Sequence, residues 1–398
     1  MYKIYNDFKN ENIKTIKYKI IIILLIFFAL IIPLLTNISI YKIINMKIEI
    51  YIIEKYRKKC EKGIILKHNK FNKNANPKIS IISAAYNRGP YILRFLRSIQ
   101  NQLLDEIEII FIDDYSTDNT IKIIEKCQKE DNRIILIKHN INKGTLISRN
   151  DGAIISRGEY LIFPDPDDIL SNDILKYCYN KANKENYDMI RFNLYGGKEM
   201  GVLNFGEIKT QKVYQPELSY YIFYNKGLLK QTDYSISNKF IKRNIFIKAL
   251  NSIKNYYLNQ NMIVYEDGLI NFKLYKFAKS LYYSKKIGYF YLKNNHSITN
   301  NFKRDIERTI KNCYLYLKFI FENTKNNQYE KNIASTIYKN VHLEISNISH
   351  FEKLTKEYNF YYNVINLYLY NDFIPTLVKE ELKNITKLIK KAEKNKYL

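Results

Sequence analysis

The sequence predicts an α/β fold built on a doubly wound, mostly parallel sheet. Short apolar runs alternate with helix-like segments between residue 78 and about residue 180. Several of the apolar runs end in polar or acidic residues. Strands that alternate with helices at this spacing favour parallel pairing, with ligands bound at the carboxyl ends of the strands.

The first two strand–helix units are the clearest. Residues 78–87 form a β-rich run that ends in a polar turn, and residues 91–99 have helical apolar spacing. A second apolar strand covers residues 107–112 and ends in two aspartates. Ser116 and Thr117 are both suitable caps for the helix predicted over residues 121–127.

Two further strands follow. Residues 134–137 predict the third strand, and after a turn at residues 142–144 a helix-like segment runs to about Ser156. A turn at residues 157–158 precedes the apolar run at residues 160–163. That fourth strand leads directly into an acidic segment.

The acidic segment contains Asp165, Asp167 and Asp168. Carboxylates at the end of a buried strand face the crevice in which open α/β sheets bind ligands, and their hard oxygens suit Mg²⁺ or Mn²⁺. Because Pro164 and Pro166 lie in the same segment, a solvated turn explains the same pattern.

A second acidic pair, Glu266 and Asp267, opens the amphipathic segment at residues 269–275. Negative charge at a helix N-terminus is favourable by about 0.3–1 kcal/mol, which is a structural explanation for the pair.

The composition is strongly basic, with a formal net charge of +25 in 398 residues. The chain is rich in Ile, Lys, Asn and Tyr and lacks Trp, a bias typical of AT-rich genomes. The basic residues are dispersed, and no zinc-knuckle spacing or RNA-recognition signature is present. We therefore expect no nucleic acid as a partner.

The N-terminal region predicts a single membrane anchor. Residues 20–41 carry no charge and would extend roughly 33 Å as a helix, enough to cross a bilayer. A basic tail at residues 1–19 precedes this run, so a cleaved signal peptide is the main alternative. The Lys distribution weakly favours a cytosolic N-terminus. The catalytic domain would then be lumenal in a eukaryote, whereas in a bacterium it must face the cytoplasm.

The remaining boundaries divide the chain into a stem, a catalytic domain and an appendage. Residues 42–77 are polar and Lys-rich, and are predicted to be a stem whose first part is helical. The catalytic domain covers residues 78–300, with a nucleotide-binding half at 78–180 and an acceptor half at 181–300. Residues 301–398 have helical apolar spacing and are predicted to pack on that domain or to contact a partner or membrane.

Five segments from about Lys78 to His296 carry a family resemblance. They read, in order, ISIISAAYN, IIFIDDYSTDNT, NKGTLISRNDGA, GEYLIFPDPDDIL and VYEDGLINFKLYKFA. This chain resembles the family 2 glycosyltransferases, whose catalytic domain has the type A nucleotide-diphospho-sugar transferase fold. The resemblance covers a little over half of the chain.

The resemblance implies a nucleotide-diphospho-sugar donor, most commonly a UDP-sugar. Asp114 would accept a hydrogen bond from the nucleotide base, Tyr86 would pack near the base, and Asp113 would support the turn. Arg149 and Asn150 would lie on a helix that faces the nucleotide. Arg149 also fits a surface salt bridge.

It also implies a bound Mn²⁺ or Mg²⁺. Asp165 would contact the ribose or the metal, and Asp167 would ligate the metal. Asp168 would be a second ligand or an anchor behind the first. His296, in a loop that follows the last core strand, would be a third ligand or a phosphate donor, although a surface histidine explains it equally.

The implied activity is an inverting sugar transfer of the hexosyl- or N-acetylhexosaminyltransferase type. Asp267 would be the general base for the acceptor hydroxyl, with Glu266 helping to bind the acceptor. A glycan, a lipid-linked sugar and a protein hydroxyl all stay open as acceptors. The alternative is a nonenzymatic scaffold with the same fold, although a scaffold has no need for Asp165, Asp167 and Asp267 together.

Overall fold

The structure is a computed structural model. It describes residues 38–62, 76–196, 202–203, 212–214, 235–257, 262, 265–292, 312, 315–320, 322–324 and 337. The chain forms two units, Met1–Lys62 and Gly63–Leu398.

The first unit contains helix α1, Ile38–Glu61. The helix begins within the predicted anchor and continues through the first part of the predicted stem, the part that the sequence predicted to be helical. Residues 20–37 of the anchor lie outside the described residues. Within the ranges given above, no helix is both long and apolar enough to span a membrane.

The second unit contains the sheet and its helices. The helices are α2 Gly89–Gln100, α3 Thr120–Glu130, α4 Thr145–Ile155, α5 Ile174–Glu185, α6 Arg243–Tyr257 and α7 Glu266–Phe277. The strands are β1 Ile79–Ala85, β2 Ile107–Asp113, β3 Ile134–Lys138, β4 Tyr160–Ile162, β5 Ile169–Leu170, β6 Met189–Tyr195, β7 Val202–Leu203, β8 Lys212–Tyr214, β9 Lys239–Lys242 and β10 Ser280–Phe290.

These strands form one sheet in the order β3-β2-β1-β4-β9-β6-β10-β5. In addition, β7 pairs with β6, and β8 pairs with β10. The pairs among β3, β2, β1 and β4 are all parallel, as the alternation of strands and helices predicts. Their carboxyl ends meet at one edge, and the acidic residues that follow β2 and β4 lie there.

The second half of the sheet corrects the expectation of a mostly parallel sheet. β9 is inserted antiparallel between β4 and β6, while β10 pairs parallel with β6 and antiparallel with β5 and β8. The described sheet is therefore mixed. The strands β7, β8 and β9 are only two to four residues long, and the strand–helix pattern did not predict their direction.

Apolar side chains of the strands alternate between two cores, because successive strand residues point to opposite faces. In β2, Ile110 and Ile112 pack in the core with α4, α6 and α7, whereas Ile109 and Phe111 pack in the core with α2, α3 and α5. Helices on both faces confirm the doubly wound arrangement. Residues 315–320 are helical and pack in the first core, as expected of the C-terminal region.

Candidate active site

Two loops at the carboxyl ends of β1 and β2 are joined by hydrogen bonds. The Asn87 amide donates to Ser116 Oγ at 2.9 Å, and the Thr117 amide donates to Asn87 Oδ1 at 2.9 Å. Tyr86 and Tyr115, on these two loops, are 45% and 52% exposed. The loops therefore offer two accessible aromatic rings at the edge of the sheet.

The two aspartates at the carboxyl end of β2 organise this edge. Asp113 is fully buried, and its Oδ2 accepts from the Ser116 amide at 2.9 Å, as expected of a carboxylate that supports the turn. Asp114 accepts from the amides of Lys143 and Gly144 at 2.9 and 2.7 Å. The carboxylate of Asp114 thereby holds the loop that begins α4.

Gly144 itself has a φ of 90°, a conformation that L side chains rarely adopt, so glycine is required at this position.

Sequence reasoning missed His139. Its side chain is 4% exposed, and its two ring nitrogens lie 2.7 Å from Asp114 Oδ1 and 3.0 Å from Asp151 Oδ2. A polar residue two positions after a predicted strand was the only available signal, and such a residue is usually a turn residue.

Arg149 joins the two acidic segments that the sequence singled out. Its Nη2 donates to Asp165 Oδ1 at 2.7 Å, and its Nη1 donates to Asp267 Oδ1 at 2.5 Å. The Arg149 side chain is 6% exposed, against 39% for Asp165 and 21% for Asp267. This residue is therefore a buried bridge between the end of β4 and the start of α7, and not a surface salt-bridge residue.

A short segment before β9 completes the bridge. Ser237 Oγ donates to Asp165 Oδ2 at 3.0 Å, and the Ile236 amide donates to Asp267 Oδ2 at 3.3 Å. The segment is held in shape by the buried Lys239, whose ammonium group donates to the Ser235 carbonyl. Each oxygen of Asp165 and Asp267 thus has a hydrogen-bond donor.

Asp167 and Asp168 have different surroundings. Asp168 is 2% exposed and accepts from Tyr289 Oη at 2.6 Å and from the Leu292 amide at 2.8 Å. Of the two roles predicted for Asp168, its burial and these two hydrogen bonds fit the anchor behind the metal ligand better than a second metal ligand. Asp167 has a carboxylate that is 14% exposed and 3.9 Å from Arg88 Nε, an ion pair too long to be a strong hydrogen bond.

Two further residues, Asn150 and His296, were also predicted to belong to the site. Asn150 is 2% exposed, and neither Oδ1 nor Nδ2 of its side chain has a hydrogen-bond partner in the described part of the chain. A role for Asn150 in nucleotide binding stays a prediction. His296 lies outside the described residues.

Burial disfavours the charged forms of the two acidic residues at the start of α7. Burial raises the pKa of Glu266 to about 7, and the neighbouring charge of Asp267 contributes to the rise. Burial also raises the pKa of Asp267, an effect that Arg149 opposes. The Arg149 guanidinium is thus the group that most strongly opposes the rise in the pKa of Asp267.

A divalent cation needs several oxygen ligands around it. In the described ranges no group of three or more His, Cys, Asp or Glu side chains is arranged to hold a metal ion. Mg²⁺ commonly takes only one or two carboxylates and completes its shell with phosphate oxygens and water. Asp167 and the partly exposed Asp165 fit that mode, in which the substrate supplies the remaining ligands.

The chain is similar in sequence and in fold to known proteins. Residues 80–250 match the family described as Glycosyl transferase family 2. An uncharacterized glycosyltransferase of Mycoplasma genitalium is 30% identical over 221 residues, which cover 54% of this chain and 69% of that protein. This chain belongs to glycosyltransferase family 2. It is a glycosyltransferase, as the family resemblance predicted.

Two other matches extend the comparison. The Campylobacter jejuni GalNAc(5)-diNAcBac-PP-undecaprenol beta-1,3-glucosyltransferase is 29% identical over 73% of this chain and 87% of its own length. The crystal structure of S. aureus TarS 1-349 in complex with UDP-GlcNAc has a TM-score of 0.57 and 20% identity, over 75% of this chain and 82% of TarS. At that identity the TarS likeness shows the fold, which is the type A fold expected of the family.

Proposed function

We propose that this protein transfers a sugar from a nucleotide-diphospho-sugar, most simply a UDP-sugar, to an acceptor hydroxyl with inversion at the anomeric carbon. The observation that carries the proposal is the Arg149 bridge, with contacts of 2.7 Å to Asp165 and 2.5 Å to Asp267. A donor-side carboxylate and a candidate base are thereby held on either side of one guanidinium group. A TarS structure determined with UDP-GlcNAc supports this choice of donor class.

Donor binding is assigned to the parallel half of the sheet. Tyr86 stacks against the base, Asp114 accepts a hydrogen bond from it, and Asp165 and Asp167 lie at the diphosphate. With Mn²⁺ or Mg²⁺ bound to these last two carboxylates, the site gains the positive charge that the leaving diphosphate requires.

Asp267 is assigned as the general base. The acceptor oxygen attacks the anomeric carbon while its proton passes to Asp267, and the bond from that carbon to the diphosphate breaks, with its electron pair leaving on the nucleotide diphosphate. A positioned base of this kind contributes roughly 10²–10⁴ in rate. Glu266, at the same helix start, is assigned to acceptor binding.

The acceptor is proposed to be a glycan carried on a lipid or a wall polymer. Relatives named as acting on such acceptors support this assignment, among them the Campylobacter jejuni glucosyltransferase and a Bacillus spizizenii poly(ribitol-phosphate) beta-glucosyltransferase, 34% identical over 31% of this chain and 20% of its own length. The uncharged run at residues 20–41 supports a membrane location for the enzyme. Recovery of the full-length protein without detergent, in the soluble fraction, would count against that location.

The test is release of free nucleotide by the full-length protein from a panel of UDP-, GDP- and dTDP-sugars, with and without Mn²⁺. Bacterial membrane extract supplies lipid-linked acceptors. We expect turnover of one donor, with radiolabelled sugar appearing in the lipid or polymer fraction. Absence of turnover and of nucleotide binding with every donor would overturn the proposal.

A further inference from the structure

We propose that His139 is a positioning residue for nucleotide binding, which holds the base-binding Asp114 in place by linking it to Asp151 on α4. This inference rests on the proposed function, because Asp114 is assigned there to the nucleotide base. It adds a residue that neither the sequence motifs nor the proposed mechanism includes.

The imidazole ring of His139 is enclosed between two carboxylates. Its Nδ1 lies 2.7 Å from Asp114 Oδ1 and its Nε2 lies 3.0 Å from Asp151 Oδ2. Ionised carboxylate oxygens only accept hydrogen bonds, so both contacts are satisfied when both ring nitrogens carry a proton. Lys143 Nζ lies 3.6 Å from the same Asp151 oxygen and contributes a further positive charge.

Asp114 has one hydrogen-bonding position to spare. An ionised carboxylate offers about four acceptor positions, and three of them on Asp114 are taken by His139 and the amides of Lys143 and Gly144. With His139 in place, the carboxylate cannot rotate without breaking a contact. The remaining position is therefore preorganised for a donor group on the nucleotide base.

The link extends toward the reaction centre along α4. Asp151 is two residues after Arg149 in that helix, and the Gly144 amide bound by Asp114 directly precedes the helix. The His139 amide also donates to the Asp113 carbonyl at 2.8 Å, so the backbone of His139 is tied to the end of β2. His139 therefore connects the nucleotide end of the site to the helix that carries Arg149.

The test compares nucleotide affinity among matched variants of the full-length protein, measured by calorimetry with UDP, GDP and dTDP. His139→Gln keeps a polar side chain but loses the ring that bridges Asp114 and Asp151, and the expected result is a dissociation constant raised by roughly 10-fold or more, since hydrogen bonds to charged groups have about that worth. Asp151→Asn should raise it by about 3-fold, because Asp151 is 37% exposed and keeps an oxygen acceptor. The rate at saturating donor should change by less than about 3-fold in both variants, a split between binding and turnover that a general loss of structure does not produce.

Lys138→Gln is the control, since Lys138 is the neighbouring residue and pairs at 2.6 Å with Glu125 on α3, which has no link to Asp114. It should bind as the wild type does. Unchanged affinity in His139→Gln, or a fall in rate without a change in affinity, would overturn the inference. Should His139→Gln fail to fold, the affinity of Asp151→Asn decides. If the wild type binds none of the three nucleotides, the proposed function is refuted together with this inference. If the wild type binds one of them and the variants bind it equally well, only this inference is refuted.

Discussion

Arg149 donates a hydrogen bond of 2.5 Å to Asp267, and this contact joins α4 to the first turn of α7. The arginine is more deeply buried than the aspartate. A buried guanidinium next to a partly exposed carboxylate favours the charged form of that carboxylate and orients it, while leaving it accessible to an acceptor.

Replacing Arg149 should destabilise the protein. Arg149→Met leaves Asp267 and Asp165 without their cation, and we expect a loss of about 3 kcal/mol in the free energy of unfolding, the lower end of the range for breaking a buried pair, because Asp165 is 39% exposed. Urea denaturation measures it. Lys78→Gln, which removes an exposed pair with Glu106, should cost less than about 1 kcal/mol. Equal losses in the two variants would contradict the bridge.

Removing Glu266 should change how stability depends on pH. Its pKa of about 7 lies above the ordinary value of 4.5, so between those values the folded state binds more protons than the unfolded state. Stability from this group is therefore lost as the pH rises from about 4.5 to about 7, by up to about 3 kcal/mol at 1.36 kcal/mol per pKa unit. Glu266→Gln should show a flatter profile than the wild type in denaturation from pH 4.5 to 8. Parallel profiles would mean that Glu266 is ionised in the folded protein at little cost.

Removing the Asp167 carboxylate should abolish the effect of Mn²⁺ on nucleotide affinity. We expect Asp167→Ala to bind nucleotide equally with and without Mn²⁺, whereas the wild type should bind more tightly with Mn²⁺, because a carboxylate ligand to the cation is lost. Calorimetry with UDP measures both affinities. Asp173→Asn is the matched control, since Asp173 is an acidic residue of the same region that pairs with Lys286 at 2.8 Å and has no assigned metal role. A Mn²⁺ effect that persists in Asp167→Ala would move the metal to other ligands.

Close packing at the start of α7 should make Gly268 intolerant of substitution. A Cβ at this position would lie 2.8 Å from Tyr316 Cζ, in a ring that stacks on Tyr265 at 5.2 Å. Gly268→Ala should therefore cost about 1–3 kcal/mol of stability, measured by thermal or urea unfolding. In a Tyr316→Ala background the same substitution should cost much less, since the obstructing ring is gone. An equal cost in both backgrounds would place its cause in the α7 backbone.

The sequence predicted the first four strands to within two residues at each end, because their apolar runs are bounded by turn residues and acidic residues. It also indicated the three acidic segments of the site. Those predictions depend on local pattern, which short-range periodicity reports well.

The contacts among those segments were not predictable in the same way. Arg149 and Asp267 are separated by 118 positions, and the Ser235–Ser237 segment that completes the bridge has no motif. The same holds for His139, whose partners lie on two other elements. The antiparallel strand β9 was missed because four residues with a lysine at each end carry no direction signal.

The assignment of Asp267 as general base is tested most directly by Asp267→Asn, with donor affinity and turnover measured on the same preparation. We predict a dissociation constant for the donor within about 3-fold of wild type and a turnover rate lower by roughly 10²–10⁴. A loss of donor affinity as severe as the loss of turnover, or turnover at the wild-type rate, would contradict the assignment.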